Sequence, residues 1–276
     1  MKLGVLQFRP LRGEPERNAD VLESALRSSH VDLLVAPELA IGGYLYLDRA
    51  ELASAAESVP DGPSCARLRR ACRETNRSIV FGLAERDGDR VYNSAVLLGP
   101  DGCATVYRKA HLFDTETLVF DRAGPSNDLA TVAGATVGIM VCFDWRFPEV
   151  ARLLALRGAE VIAHPSNLVL PYCQEAMVTR SLENRVFTVT ANRFGTESDR
   201  GTTIRFTGRS QVVTPRGERL IAMGEEEEGV AIVEIDPADA RDKRATPRND
   251  LFVDRRVDLW AGLLAKPEER AVDGRP

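Results

Sequence analysis

Two distant stretches of this chain carry the same succession of patterns, and that repetition leaves few architectures open. Leu3 to Phe8 reads as a buried strand, Ala19 to Arg27 as a helix with Val21, Leu22, Ala25 and Leu26 on one face, and Asp32 to Glu38 as a second strand. Thr136 to Phe143 is again a strand, Pro148 to Leu156 a helix, and Glu160 to Ser166 a strand. The parallel continues further along. Ser78 to Glu85 and Ser94 to Leu98, closed by Gly99-Pro100-Asp101-Gly102, are matched by Val186 to Asn192 and Ser210 to Thr214, closed by Pro215-Arg216-Gly217. Alternating strands and helices build sheets covered by helices. Two such units fused predict two sheets face to face with helices outside: an α/β chain folded as a four-layer α-β-β-α sandwich built from two related halves. At 276 residues, 44% of them apolar, the chain is long enough for that core.

Charge and cysteine usage remove several function classes. The net charge of -5 is spread over 36 basic and 41 acidic residues without a basic tract, which argues against nucleic acid or a membrane surface as partner. The apolar start Leu3 to Phe8 is cut short by Arg9-Pro10, too soon for a signal peptide. No run approaches the roughly 18 apolar residues of a membrane span. A soluble, cytoplasmic protein acting on a small molecule is expected. Cys65, Cys72, Cys103, Cys142 and Cys173 form an odd set with no C-x-x-C pair and no histidine at zinc-ligand spacing, so neither disulfide, metal nor cofactor is expected.

In α/β sheets ligands gather at the carboxyl ends of strands, where Glu38 and Cys142 both fall. Glu38 ends the second strand of its half and Cys142 the first strand of the other, so those strands must become neighbours for the side chains to meet. Cys142 precedes Phe143-Asp144-Trp145-Arg146-Phe147-Pro148-Glu149, a helix start whose N–H groups and positive end favour thiolate and can hold an oxyanion. Its other reading is a small buried hydrophobe. Glu38 reads as a desolvated general base or as a structural acceptor. Lys109 stands out because only Lys2, Lys109, Lys243 and Lys266 are lysines, and this one lies in the apolar-aromatic stretch Val106 to Phe113. It reads as a compact charge for an oxyanion or as a surface lysine. Glu116 reads as a partner for Lys109 or substrate, or as a solvated carboxylate. His30, His111 and His164 are the histidines, and a Cys-His dyad through His111 or His164 competes with a carboxylate base. Glu225-Glu226-Glu227-Glu228 reads as a solvated turn.

Taken together, Pro37-Glu38, Tyr107-Arg108-Lys109-Ala110-His111-Leu112 and Val141 to Glu149 resemble the nitrilase superfamily of carbon-nitrogen hydrolases, in the order Glu, Lys, Cys. Gly158-Ala159-Glu160, His164-Pro165-Ser166-Asn167, Leu182-Glu183-Asn184-Arg185 and Ala191-Asn192-Arg193 extend the likeness, which runs from about residue 2 to 260. It implies one carbon-nitrogen hydrolase domain over 1–260 and a tail over 261–276. Cys142-Phe143-Asp144-Trp145 and the stretch Asn249 to Arg256 are most similar to archaeal nitrilase-like and amidase-type members.

The resemblance implies a cofactor-free site of Glu38, Lys109 and Cys142 with Glu116 in support, cleaving small amides or N-carbamoyl compounds through a thioester with release of ammonia. The backbone N–H of Phe143 is expected beside Lys109 at the oxyanion, and Tyr44, Trp145, Asn167 and Tyr172 are expected to line the pocket. It also implies homodimers of eight layers, or a higher homo-oligomer. Cys-x-Asp is more frequent among amide and carbamoyl hydrolases and Cys-x-Glu among true nitrilases, which favours amides here. Nitrile hydrolysis stays open, because some archaeal relatives with this setting are described as nitrilases. A non-catalytic binding or redox-sensing protein on the same fold is the alternative of another class.

Overall fold

The computed structural model describes residues 1–124 and 128–264, so most of the expected tail, from residue 265 on, lies outside the described residues. Met1–Asp242 forms one compact unit, and a second unit begins at Lys243.

The first half of the large unit runs β1 (Lys2–Gln7), α1 (Pro15–Ser28), β2 (Leu33–Val35), α2 (Arg49–Ala55), α3 (Pro63–Thr75), β3 (Ser78–Asp87), β4 (Arg90–Leu98), β5 (Ala104–Arg108) and the short α4 (Glu116–Val119). The second runs β6 (Ala130–Val132), β7 (Ala135–Ile139), a 3-10 turn (Cys142–Arg146), α5 (Pro148–Leu156), β8 (Val161–Ser166), α6 (Cys173–Asn184), β9 (Phe187–Asn192), β10 (Phe194–Asp199), β11 (Thr202–Thr207), β12 (Gln211–Val213), β13 (Arg219–Ala222) and β14 (Gly229–Glu234).

Two six-stranded sheets result, ordered β14-β1-β2-β3-β4-β5 and β6-β7-β8-β9-β12-β13, the first sheet taking five strands from the first half and its edge strand β14 from the end of the second. The two are laid out alike. Three parallel strands sit in the middle, two antiparallel ones follow, and one antiparallel strand guards the far edge. The repeat read from the sequence is therefore the repeat of the fold. The middle parallel strands β2 and β8 are buried throughout, as strands covered on both faces must be. β1 packs on β9, β3 on β8, and β2 on both β8 and β9, so the sheets meet face to face. Outside them, α1 and α3 pack together against the first sheet, burying Leu22, Leu26, Leu68 and Ala71, and α5 and α6 cover the second. That is the expected four-layer sandwich.

Two departures bear on function. The β10–β11 hairpin is inserted between β9 and β12 with no counterpart in the first half, and the sequence analysis does not anticipate it. Both functional strands also stop early: β2 ends at Val35 and β7 at Ile139, so Glu38 and Cys142 stand on the segments just beyond. The Glu225–Glu228 run is exposed between β13 and β14, with Arg209 and Arg205 facing it. In the second unit, β15 (Arg244–Thr246) and β16 (Asn249–Asp250) pair, and Asp250 caps the turn through the N–H groups of Phe252 and Val253. Among the described residues, no helix is long and apolar enough to cross a membrane.

Candidate active site

Glu38 is carried past β2 by a backbone that stays hooked to β3, with Ala36 N–H on the Val80 carbonyl (2.8 Å) and Gly82 N–H on the Pro37 carbonyl (3.0 Å). The approach at Gly82 admits no side chain. A Cβ there would stand 2.4 Å from the Leu39 nitrogen and 2.6 Å from the Glu38 Cα, so glycine is what lets β3 pass beneath Glu38.

Cys142 opens the 3-10 turn with φ of +40°, a left-handed conformation that is strained for a residue with a side chain. Three contacts hold it there. Asp144 N–H donates to the Val141 carbonyl (3.0 Å), the Asp144 carboxylate accepts from Val141 N–H (3.0 Å), and His164 Nε2 donates to the Cys142 carbonyl (2.9 Å). Asp144, fully buried, also accepts from Tyr107 Oη (2.7 Å), His111 N–H (3.1 Å) and His111 Nδ1 (2.8 Å). Tyr107 and His111 flank Lys109 two residues to either side. One carboxylate thus pins the lysine-bearing strand end to the residue before the cysteine.

Lys109 is 1% exposed. Its ammonium donates to Glu38 Oε1 (2.7 Å) and to both oxygens of Glu116 (2.7 and 2.8 Å). Glu38 Oε1 also accepts from Asn93 Nδ2 (2.8 Å), while Glu38 Oε2, also buried, has no hydrogen-bond partner among the described residues. Glu116 accepts from Tyr44 Oη (2.8 Å) and Phe113 N–H (3.1 Å). Burial raises the Glu38 carboxyl above its ordinary value against the pull of Lys109, with Glu116 adding to the rise. Lys109 moves the other way from what burial dictates, because Glu116 and Glu38 hold the ammonium charged. Burial, helped by Glu116, keeps Tyr44 a protonated donor.

The Cys142 thiol lies within electrostatic reach of Glu38, Lys109 and Glu116. The expectation that the helix start favours thiolate meets a stronger effect: burial first, and the Glu38 charge second, push the thiol well above its ordinary value against Lys109. The resting sulfur is therefore protonated, and attack requires a base. His164 is not placed for that task. Its Nε2 holds the Cys142 carbonyl, its Nδ1 faces Thr190 Oγ1 (3.1 Å), and burial brings it down to about 4, so it stays neutral. The His111 ring stacks on Phe147 with centroids 3.5 Å apart. Among the described residues, no imidazole hydrogen-bonds the thiol.

The other expected residues divide. Asn167, just past β8 in the second half, joins the first half through its Nδ2 on the Glu38 carbonyl (2.9 Å). Tyr44 touches Glu116 and so belongs to the cluster. Phe143, second in the 3-10 turn, offers an N–H of the kind that has no partner within a helix start. Trp145 is buried in the same turn, outside the hydrogen bonds of the cluster. Tyr172 is 58% exposed before α6 and takes no part in them. Asn93 and Asp144 were missed as participants. Asp144 was visible only as the third residue of Cys142-Phe143-Asp144, and nothing near Asn93 in sequence marks it.

Comparison with known proteins bears on the family and the fold. The carbon-nitrogen hydrolase family model matches residues 2–245. A nitrilase of Pyrococcus abyssi is 42% identical over 263 residues, covering 94% of this chain and 99% of its own, and an (R)-stereoselective amidase of a Pseudomonas species is 33% identical over 277 residues, covering 98% and 97%. Among solved structures, an amidase of Nesterenkonia AN1 from the nitrilase superfamily shares the fold with a TM-score of 0.79 at 25% identity, covering 96% of this chain and 97% of its own. Among the described residues, no group of three or more His, Cys, Asp or Glu could hold a metal ion.

Proposed function

We propose, from the premise that the chain belongs to the carbon-nitrogen hydrolase family, that it hydrolyses small carboxamides or N-carbamoyl compounds through a thioester on Cys142 and releases ammonia. The observation that carries this reading is the division of labour within Glu38. Oε1 is anchored by Lys109 and Asn93, while Oε2 is buried, unpartnered and on a carboxyl of raised proton affinity beside a protonated thiol. A base so placed takes the sulfur proton as the carbon-sulfur bond forms.

The carbonyl oxygen then becomes an oxyanion met by the Lys109 charge and the Phe143 N–H. Collapse breaks the carbon-nitrogen bond, and the nitrogen leaves as ammonia with the proton Glu38 had taken. Water next gives a proton to Glu38 and its hydroxide to the thioester. The carbon-sulfur bond breaks, and Glu38 returns the proton to sulfur. The sum is amide plus water to acid plus ammonia. Glu116 keeps Lys109 charged throughout.

Three buried oxygens favour amides over nitriles as substrate. Glu38 Oε2, Asn93 Oδ1 and Asn167 Oδ1 have no partner among the described residues, and Asn93 and Asn167 both hold Glu38. A carboxamide or carbamoyl NH2 donates to such acceptors, whereas a nitrile nitrogen only accepts. Nitrile hydrolysis is the second reading, favoured by the 42% identity to the Pyrococcus abyssi nitrilase. Ammonia release from matched aliphatic amides, N-carbamoyl amines and dinitriles, with Cys142→Ala as blank, decides between them. The expected result is faster release from amides together with an acyl adduct on the Cys142 peptide by mass spectrometry. Release that persists in the blank overturns the assignment.

A further inference from the structure

One buried ion pair has no part in that cycle. Arg193, between β9 and β10, faces Glu197 on β10, with side chains 1% and 6% exposed. The desolvation of such a pair can exceed its attraction, so what it holds in place matters. Glu197 accepts from the N–H groups of Tyr44 (3.0 Å) and Leu45 (2.8 Å). Arg193 donates to Glu197 and to the Pro10 carbonyl (3.0 Å), and its guanidinium lies 4.2 Å from the centre of the Phe206 ring. Phe206 on β11 meets the Tyr44 ring edge-on, centroids 5.6 Å apart. Tyr44 is thereby gripped by backbone and by ring. The grip continues along the same loop, with Asp199 accepting from Leu47 N–H (3.2 Å) and Arg200 facing Glu51 (3.5 Å) and Asp48 (3.7 Å).

These contacts come from Arg193 and the hairpin it leads into, inserted only in the second half, and those of Glu197 and Phe206 meet Tyr44, whose hydroxyl reaches Glu116 Oε1, the same oxygen that takes Lys109. We infer that Arg193 and Glu197 are positioning residues for hydrolysis, acting through Tyr44 on Glu116, and that the β10–β11 hairpin sets the hold of that carboxylate on Lys109. The inference rests on the Glu38-Lys109-Cys142 assignment above. The titratable groups facing Glu116 are Tyr44 and Lys109, with Glu38 and Cys142 beyond the ammonium.

The test uses the full chain and iodoacetamide, with alkylation of the Cys142 peptide followed by mass spectrometry across pH in native, Tyr44→Phe, Glu197→Asp and doubly substituted protein. Loss of the Tyr44 hydroxyl loosens Glu116 and with it the Lys109 ammonium, the cation that favours the Cys142 thiolate. Tyr44→Phe should therefore move the acidic limb of the profile to higher pH, with alkylation about tenfold slower at a fixed pH on that limb. Glu197→Asp keeps the charge facing Arg193 but withdraws from the two N–H groups. It should move the limb in the same direction, and the double substitution should move it no further. The inference is overturned if Glu197→Asp lowers the melting temperature with the profile in its native place, or if the two displacements add. Should Glu197→Asp not fold, Arg193→Lys replaces it with the same expectations, since it keeps the charge and loses the contacts to Pro10 and Phe206. A Glu38→Gln chain with the native profile would instead sink the hydrolytic assignment, which tells that failure from failure of the clamp.

Discussion

β1 and β7 occupy the same place in their sheets and end in opposite chemistry. Gly4 stands opposite Leu34 as Gly138 stands opposite Ile162. Counting four residues on from each, Phe8 takes the place of Cys142 and Ser166 the place of Glu38. Phe8 is buried in the apolar core against α1 and α3. Beside it, Gln7 closes the strand end with neutral bonds, accepting from Ser210 N–H and Oγ (both 2.8 Å) and donating to the carbonyls of Gly224 (2.8 Å) and Glu227 (2.6 Å). The fold thus offers two equivalent strand ends and gathers two carboxylates around one ammonium at one of them, while at the other the buried Arg193–Glu197 pair reaches only the Pro10 carbonyl just past Phe8. A cluster of two carboxylates and one ammonium is costly to desolvate, and the end that carries it is the one to which the proposed function assigns the reaction.

Lys109→Ala should break the contrast most severely. Losing the oxyanion donor of the proposed function lowers turnover on the order of 100- to 1,000-fold, and Glu38, left without its cation, holds a proton more tightly still. Gln7→Leu at the neutral end should do the converse, lowering unfolding stability by about 1–3 kcal/mol through unpaired buried groups while the folded protein keeps its kcat. Steady-state kinetics beside denaturant titration separates the two. A kcat that falls with Gln7→Leu would mean that the two ends are coupled.

Asp144→Asn tests the pin between the Lys109 strand and the Cys142 turn. A carboxamide cannot accept all four hydrogen bonds, and a displacement near 1 Å at the reacting groups is worth about 100-fold in kcat. Circular dichroism of the variant should stay native. Gly82→Ala against Gly4→Ala sharpens the comparison within one sheet. The first pushes on the Glu38 backbone and should lower kcat by about tenfold or more. The second meets only the side chains of Val31 and Leu34 and should cost about 1–3 kcal/mol of stability with kcat retained.

The last effect touches stability alone and appears only at acid pH. His164 is held down to about 4 by burial, whereas in the unfolded chain it titrates near its ordinary value of about 6.5. The unfolded state binds the proton first, so stability is lost as pH falls through that window, by on the order of 3 kcal/mol. His164→Gln should flatten that slope in thermal melts taken across the same range. An unchanged slope would assign acid sensitivity to other groups.

Much of the fold was legible because its signals are local and repeated. The α5 helix runs from Pro148 to Leu156 as read, since proline suits a first turn and the apolar spacing is helical. The β10–β11 hairpin was missed because its strands are partly exposed and lie outside the repeat. Glu38, Lys109 and Cys142 stood out as charged or nucleophilic groups in apolar surroundings. Asn93 and Glu197 did not, because a polar residue in a strand reads the same whether it faces solvent or a buried partner.

The sequence by itself therefore determined the repeated strand-helix order, the buried parallel strands and the three side chains that apolar context makes conspicuous, all properties of neighbouring residues. Only the tertiary structure decided that β2 and β7 end within reach of one another, that Lys109 sits between two carboxylates, and that Asp144, Asn167 and Glu197 fasten segments from both halves. Those contacts depend on how two sheets face each other, and the affected pKa values depend on the burial that results. Sequence spacing encodes neither.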